Sequence, residues 1–200
     1  MERSLVRLQD LAQRPILGFR APEFSVGPPG HWCFEILAEL GFRYDSSVFP
    51  LPHSRYGIPE ASRHPFAIVT PSGTIYEYPL ATWDIGRFRL PVAGGSYFRL
   101  LPSRLLHRAL NDIDASNRTA VLYFHPYEFH PGWLNLPRSV WRRSLRANDL
   151  KFTLSRILLH NFRTSYIVQC LKPLLARFEF MPLGDIYRAT TPERSMDGHE

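Results

Sequence analysis

The sequence predicts an α/β fold, and three observations carry that prediction. Short apolar runs at 16–19, 42–44 and 119–124 alternate with stretches of helical periodicity. Each run is followed by a side chain able to do chemistry: Arg20, Asp45 and His125. That is the placement expected at the carboxyl ends of parallel strands, where α/β proteins gather their active sites. Finally, 44% hydrophobic and 14% aromatic residues in a chain of 200 are enough for one ordinary core. An open doubly wound sheet and a (β/α) barrel both satisfy the alternation. Neither GxGxxG nor GxxxxGK[ST] occurs, so nothing points to a nucleotide site.

Residues 4–13 read as the end of a helix, with Leu5, Leu8 and Leu11-Ala12 in phase and Pro15 closing it. Residues 16–19 follow as a buried strand, and 27–30 as a turn. In 31–40, Cys33, Ile36, Leu37 and Leu40 fall at i, i+3, i+4 and i+7, and Gly41 supplies the stop. The second strand is 42–44. Between 46 and 71 the prolines Pro50, Pro52, Pro59 and Pro65 predict a long loop, ordered by its aromatics Phe49, Tyr56 and Phe66. Ser72-Gly73 is a hairpin-like turn, and 74–82 is a strand of β-branched and aromatic residues. Residues 91–98 form a loop around Gly94-Gly95, and 103–113 a helix with Leu106, Leu110 and Ile113 on one face. The continuous apolar run 119–124 fits a strand buried on both faces of a parallel sheet. Residues 133–148 carry no assignment. Helices are expected at 150–160 and 164–172, with Thr164 as N-cap and Pro173 as a kink or stop, and a last strand at 178–180.

The net charge is +6, and 22 of the 24 basic residues are arginine. They scatter from Arg3 to Arg194, the densest group being Arg138, Arg142, Arg143 and Arg146. This dispersion argues against nucleic acid as a partner, although a polyanionic substrate fits the charge. No apolar run approaches the roughly 20 residues of a membrane helix, and the segment after Met1 lacks the apolar core of a signal peptide. No membrane association is expected, and the default compartment is the cytoplasm. Cys33 and Cys170 lie far apart in apolar stretches and read as buried, reduced thiols.

Arg20, Asp45 and His125 make a chemically coherent set. A histidine acts as general acid near neutral pH, a nearby carboxylate orients it and raises its pKa, and an arginine holds a second carboxylate in bidentate geometry. The structural alternative is an Arg–Asp pair and a histidine bonded to backbone.

Three runs sharpen this reading. Gly18-Phe19-Arg20-Ala21-Pro22-Glu23-Phe24-Ser25 resembles the arginine motif of polysaccharide deacetylases with NodB homology, carbohydrate esterase family 4. The run from Leu37 to Asp45-Ser46-Ser47 resembles their aspartate motif and the helix before it. Tyr123-Phe124-His125-Pro126-Tyr127-Glu128-Phe129 resembles their final histidine motif. Arg55-Tyr56-Gly57-Ile58-Pro59 and the stretch from Leu90-Pro91 to Leu101-Pro102 resemble the exosortase-associated subgroup, found with bacterial exopolysaccharide loci. The match runs in order over about 1–185 and leaves 186–200 as a tail.

The resemblance implies a distorted (β/α) barrel and a metal-dependent N-deacetylase acting on polysaccharides with N-acetylated sugars. In that family a divalent metal, usually zinc, polarises the acetamide carbonyl and binds the attacking water. Arg20 would hold the base aspartate, His125 would protonate the leaving amine, and Asp45 would tune His125. Trp83, Tyr97 and Phe98 would line a sugar groove, with core packing an equal alternative for each. The family's Thr-Phe-Asp-Asp run and His-x-x-x-His pair, which supply base and metal ligands, are absent: no two Asp are adjacent and no two His are four apart. Tyr127 stands where the subgroup usually has Trp, and His130 where it usually has Asp. The expectation is therefore the C-terminal part of such a domain, an incomplete barrel without its early strands. It would have no metal of its own and no activity alone, and a separately encoded N-terminal segment is a possible partner. The alternative is a non-catalytic carbohydrate-binding remnant.

Overall fold

The computed structural model describes residues 1–26, 31–53, 56–130, 133, 137–140 and 150–190. The expected turn at 27–30, Arg55, the cluster members Arg142, Arg143 and Arg146, most of 133–148, and 191–200 lie outside the described residues. Two compact units emerge: Met1–Pro91 with Ile113–Val121 and Phe180–Glu200, and Val92–Asp112 with Leu122–Glu179.

In the first unit, helix α1 (Glu2–Ala12) ends on Gln13 in the left-handed region, just before Pro15, as the sequence predicts. Strands β1 (Gly18–Phe19), β2 (Tyr44–Asp45), β3 (Phe66–Thr70) and β4 (Gly73–Glu77) form one sheet in the order β1-β2-β4-β3. The β1–β2 and β2–β4 pairs are parallel, and β3–β4 is antiparallel. The first two strands are shorter than their apolar runs because Leu17 O accepts from both Arg43 N and Tyr44 N, so the regular ladder begins only at Gly18. Helix α2 (His31–Glu39) packs on β3 and β4 through Phe34, Leu37 and Ala38, which join Leu5, Phe42 and Ile75 in the core. Ile36, expected on this face, is exposed, and Phe34 takes its place. Gly41 stops the helix at φ 85, where Phe42 N–H reaches back to Leu37 O at 3.0 Å. Only glycine takes that left-handed position without strain.

The long loop is shorter than expected, because β3 occupies its last residues and pairs with β4 across the Ser72-Gly73 turn. Two points of the loop are tied to the strand that follows: Arg89 Nη1 donates to Pro50 O at 2.8 Å and Pro59 O at 2.7 Å. The single strand expected at 74–82 is two. Pro79, with no N–H for a ladder, separates β4 from β5 (Thr82–Ile85), which forms an antiparallel pair with β6 (Phe88–Pro91). The run 119–124 makes only isolated parallel bridges, Leu80↔Val121 in the first unit and Gly94↔Tyr123 in the second, rather than a continuous buried strand. The architecture is mixed α/β with a mixed sheet.

In the second unit, α3 (Gly95–Leu100) forms where a loop was expected. It is followed by α4 (Ser103–Ala115, its last three residues in the first unit), α5 (Leu150–Asn161) and α6 (Thr164–Arg177). Phe98, Leu106, Ile167, Cys170 and Leu174 are buried here. Thr164 is the first helical residue rather than the cap; Arg163, at φ 47, holds that place. Pro173 lies inside α6 and does not end it. Residues 178–180 form no strand, since no described strand pairs with them. The chain re-enters the first unit as α7 (Leu183–Thr190), whose Tyr187 packs on Tyr44 and Tyr76 at 5.2 and 5.8 Å between ring centroids. No helix among the described residues is long and apolar enough to cross a membrane.

The Gly94-Gly95 pair has a packing cause. A Cβ on Gly95 would lie 2.1 Å from Glu128 Oε2, and one on Gly94 would lie 2.7 Å from the Tyr123 ring. Glu128 is 1% exposed and ion-paired to the equally buried Arg99, so its carboxylate has nowhere to retreat. Gly95→Ala is expected to destabilise the chain by about 2–3 kcal/mol in urea denaturation, the cost of overpacking a tight interior. A loss below about 0.5 kcal/mol would show that the carboxylate moves freely.

Candidate functional site at the strand ends

Three parallel neighbours, β1, β2 and β4, end on charged residues. Arg20 follows β1, Asp45 ends β2, and Glu77 ends β4. The register pairs Phe19 with Asp45 and Asp45 with Glu77, so the two carboxyls sit side by side across the ladder. Both are fully buried.

Asp45 is bound on both oxygens. Ser47 N donates to Oδ2 and the Ser47 hydroxyl to Oδ1, each at 2.8 Å. The same hydroxyl accepts from Ala21 N at 2.7 Å, tying the exit of β1 to the exit of β2. Glu77 Oε1 accepts from Val48 N at 3.0 Å. Its Oε2 is buried, and among the described residues no donor reaches it at full hydrogen-bonding geometry; its neighbours are the Asp45 carboxyl and the Ser47 backbone. Burial raises both pKa values. The hydrogen bond between the pair then lifts Glu77 further while pulling Asp45 back, helped by Ser47 and by the field of Arg20. Glu77 is the more strongly raised of the two, so as pH rises it is the carboxyl that holds a proton longer.

Arg20 does not close on Asp45. Its Nε donates to Ser46 O and its Nη2 to Ser46 Oγ, both at 2.8 Å, and its guanidinium lies over the Phe24 ring. Ser46 Oγ donates onward to Tyr78 O at 2.7 Å. The arginine thus grips the segment between the two carboxyls, with its side chain at the surface. Cys33 is half-buried and its thiol is pushed up to about 11, by burial first and then by Asp45 and Glu77. Burial also raises Cys170. Both are protonated and unreactive at neutral pH.

His125 belongs to the second unit. It is exposed, stacks on Tyr127 at 5.1 Å between centroids, and meets Tyr123 edge-on. Its backbone N–H donates to Glu128 Oε2 at 2.9 Å, while Arg99 holds the other oxygen at 3.3 Å. Of the aromatics expected to line a groove, Trp83 and Phe98 are buried, Phe98 edge-on to Phe124, and Tyr97 is half-buried. Burial leaves Trp83 and Phe98 no open face for a sugar, so in this structure they pack the interior.

Sequence reasoning missed Glu77, Glu128 and Arg99. For Glu77 a signal was present: it lies two residues after Ile75, on the inward phase of the strand. Glu128 and Arg99 lie in irregular or newly found helical segments, where no periodicity marks the inward side.

Residues 46–188 match the family described as Domain of unknown function (DUF3473). The chain belongs to that family. No curated protein and no solved structure matches it. The DUF3473 match takes in Ser46, Ser47, Glu77, His125 and Glu128, and leaves Arg20 and Asp45 ahead of it. Among the described residues no group of three or more His, Cys, Asp or Glu side chains has the geometry to hold a metal ion. The Asp45 and Glu77 carboxyls already accept from Ser47 and Val48. The described residues therefore do not fit a catalytic zinc.

The pair has a pH signature with a definite sign. Glu77 is raised above its ordinary 4.5, so the folded chain keeps a proton that the unfolded chain gives up. The stabilisation is full below that ordinary value and is lost as pH rises through the folded pKa. In Glu77→Gln the amide donates to Asp45 at every pH. The stability of Glu77→Gln relative to wild type, from urea midpoints between about pH 4 and 8, should rise with pH. A constant difference would mean that the pair holds no proton. Ser47→Ala should cost about 2 kcal/mol throughout this range.

Proposed function

We propose that this chain supplies the arginine, aspartate and histidine elements of a metal-dependent polysaccharide N-deacetylase acting on acetylated amino sugars. The observation that carries the reading is the row of Arg20, Asp45 and Glu77 at the carboxyl ends of three adjacent parallel strands, the active end of a (β/α) array. The order of the motifs along the chain agrees with it. So does the family match, since DUF3473 occurs in polysaccharide deacetylase-like proteins. On this reading the parallel strands are an arc of the NodB-type barrel. Arg20 and Asp45 shape the floor of its active end, and His125 serves as the proton donor.

The ligands for the metal and the base that activates water are not among the described residues, so nucleophile formation is assigned to residues outside them. A second reading rests on the saturation of Asp45 by Ser47 and Glu77, which suits a rigid wall better than a titrating catalyst. On that reading the chain binds acetylated sugars without turning them over.

The purified chain with added zinc should release no acetate from chitotetraose; zinc-dependent release would overturn this assignment. A protein that joins to this chain a segment carrying an Asp-Asp run and a His-x-x-x-His pair should release acetate. There, Arg20→Gln and His125→Ala should each lower kcat by about 100-fold. Unchanged kcat in both variants would leave the binding reading standing.

A further inference from the structure

The first unit holds a second concentration of charge away from the carboxyl pair. Asp84 on β5 lies opposite Arg89 on β6 in the antiparallel register, and Arg89 Nε bonds Asp84 Oδ1 at 3.1 Å. Arg63, from the proline-rich loop, ion-pairs with the other oxygen of Asp84. The side chains of Arg63, Arg89 and Asp84 are 39%, 28% and 32% exposed, so the group is partly desolvated yet reachable. Arg118 faces the same cluster from the segment that bridges Leu80, with Nη1 3.4 Å from Thr82 O.

Arg118 is the anomaly. Among the described residues no carboxylate lies within ion-pair range of it. Its one hydrogen bond is long, to a neutral carbonyl. Burial, followed by the repulsion of Arg63 and Arg89, works against its charge. Arg63 and Arg89 thus share one carboxylate while Arg118 meets only a carbonyl, an excess of two positive charges on a half-buried surface. Arg89 is structurally committed through Pro50 and Pro59. Arg63 and Arg118 have no such anchoring among the described residues. Like charges held together and partly dehydrated are destabilising unless an anion completes the group.

We propose that Arg118, with Arg63 and Arg89 behind it, is a binding site for the carboxylate of an acidic sugar, so that the glycan recognised by this chain is anionic. The planar, forked guanidinium matches a carboxylate in two parallel hydrogen bonds. Arg89 lies on β6, and Arg118 follows α4, its backbone N–H bonded to Ile113 O at 3.2 Å, three residues before the Val121 bridge. The choice of a glycan as carrier of the anion rests on the polysaccharide reading above; the anion site itself rests only on the arginines.

Calorimetric titration of the purified chain with trigalacturonate, its methyl ester, chitotetraose and inorganic sulfate tests both. Trigalacturonate should bind, and the ester at least about tenfold more weakly, because esterification removes the charge-assisted bonds. Arg118→Gln should weaken trigalacturonate by at least about tenfold. Arg108→Gln, which removes the same charge from the second unit, should stay within about twofold. Arg118→Gln relieves repulsion and should melt no lower than wild type. If it fails to fold, Arg118→Lys, which keeps the charge and loses the fork, should still weaken binding. Equal affinity for acid and ester, or an equal effect of Arg118→Gln and Arg108→Gln, overturns the inference. Sulfate binding as tightly as trigalacturonate overturns the assignment to a glycan. Chitotetraose binding without any preference for the acid overturns the anion site and leaves the polysaccharide reading intact. Arg118-dependent binding of trigalacturonate with none of chitotetraose supports the anion site and removes the N-acetyl reading.

Discussion

The strand ends of the first unit depend on how two buried acids, Asp45 and Glu77, are accommodated side by side across the β2–β4 pair. Two fully buried carboxyls on adjacent parallel strands repel each other strongly if both carry charge, and burial raises the pKa of each. With one proton between them they become a donor and an acceptor. The remaining lone pairs then take up the N–H groups of Ser47 and Val48, left free as the chain leaves β2. The loop after β2 therefore starts from a fixed direction, and Arg20, which grips Ser46, is fixed with it. Ser47 links β1 to β2 through one hydroxyl that accepts from Ala21 and donates to Asp45.

The second unit answers the same problem differently. Glu128 is as buried as Glu77 and likewise accepts a backbone N–H beside a residue of interest, that of His125. Here the other oxygen meets a buried arginine instead of a second acid. The close approach of Gly95 closes the remaining side of Glu128. In both units an inward-pointing acid serves as a fastening for irregular backbone. This is why short strands suffice in a chain with so many prolines.

Arginine does two kinds of work on this scaffold. Arg89 ties two carbonyls of the proline-rich loop to the β5–β6 hairpin, a use of its fork that one lysine ammonium reproduces poorly. Arg20 does the same for the turn after β2. Arg118 has no comparable set of partners among the described residues, and it faces two other cations. Composition shows an excess of arginine without distinguishing these cases; the distinction lies in which oxygens each guanidinium meets.

The sequence by itself determined the α/β class, the helix at 31–40 with its Gly41 stop, the Ser72-Gly73 turn, and the placement of Arg20 and Asp45 at the ends of two parallel strands. These depend on local periodicity, on the conformational freedom of glycine, and on motif residues adjacent in the chain. Tertiary structure alone decided the rest. The strand after Pro65 exists because β4 offers it a ladder, and the strand expected at 178–180 does not form because no described partner offers one. Pro173 lies within a helix that continues to Arg177. Trp83 and Phe98 became interior residues because burial depends on what packs against a face, which aromatic character does not reveal. Glu77 is pushed up by burial and by a neighbour 32 residues away in the chain, across a parallel pairing that no local pattern encodes. Long-range register is set by the summed packing of the whole sheet, and that sum places an acid beside an acid and an arginine beside two others.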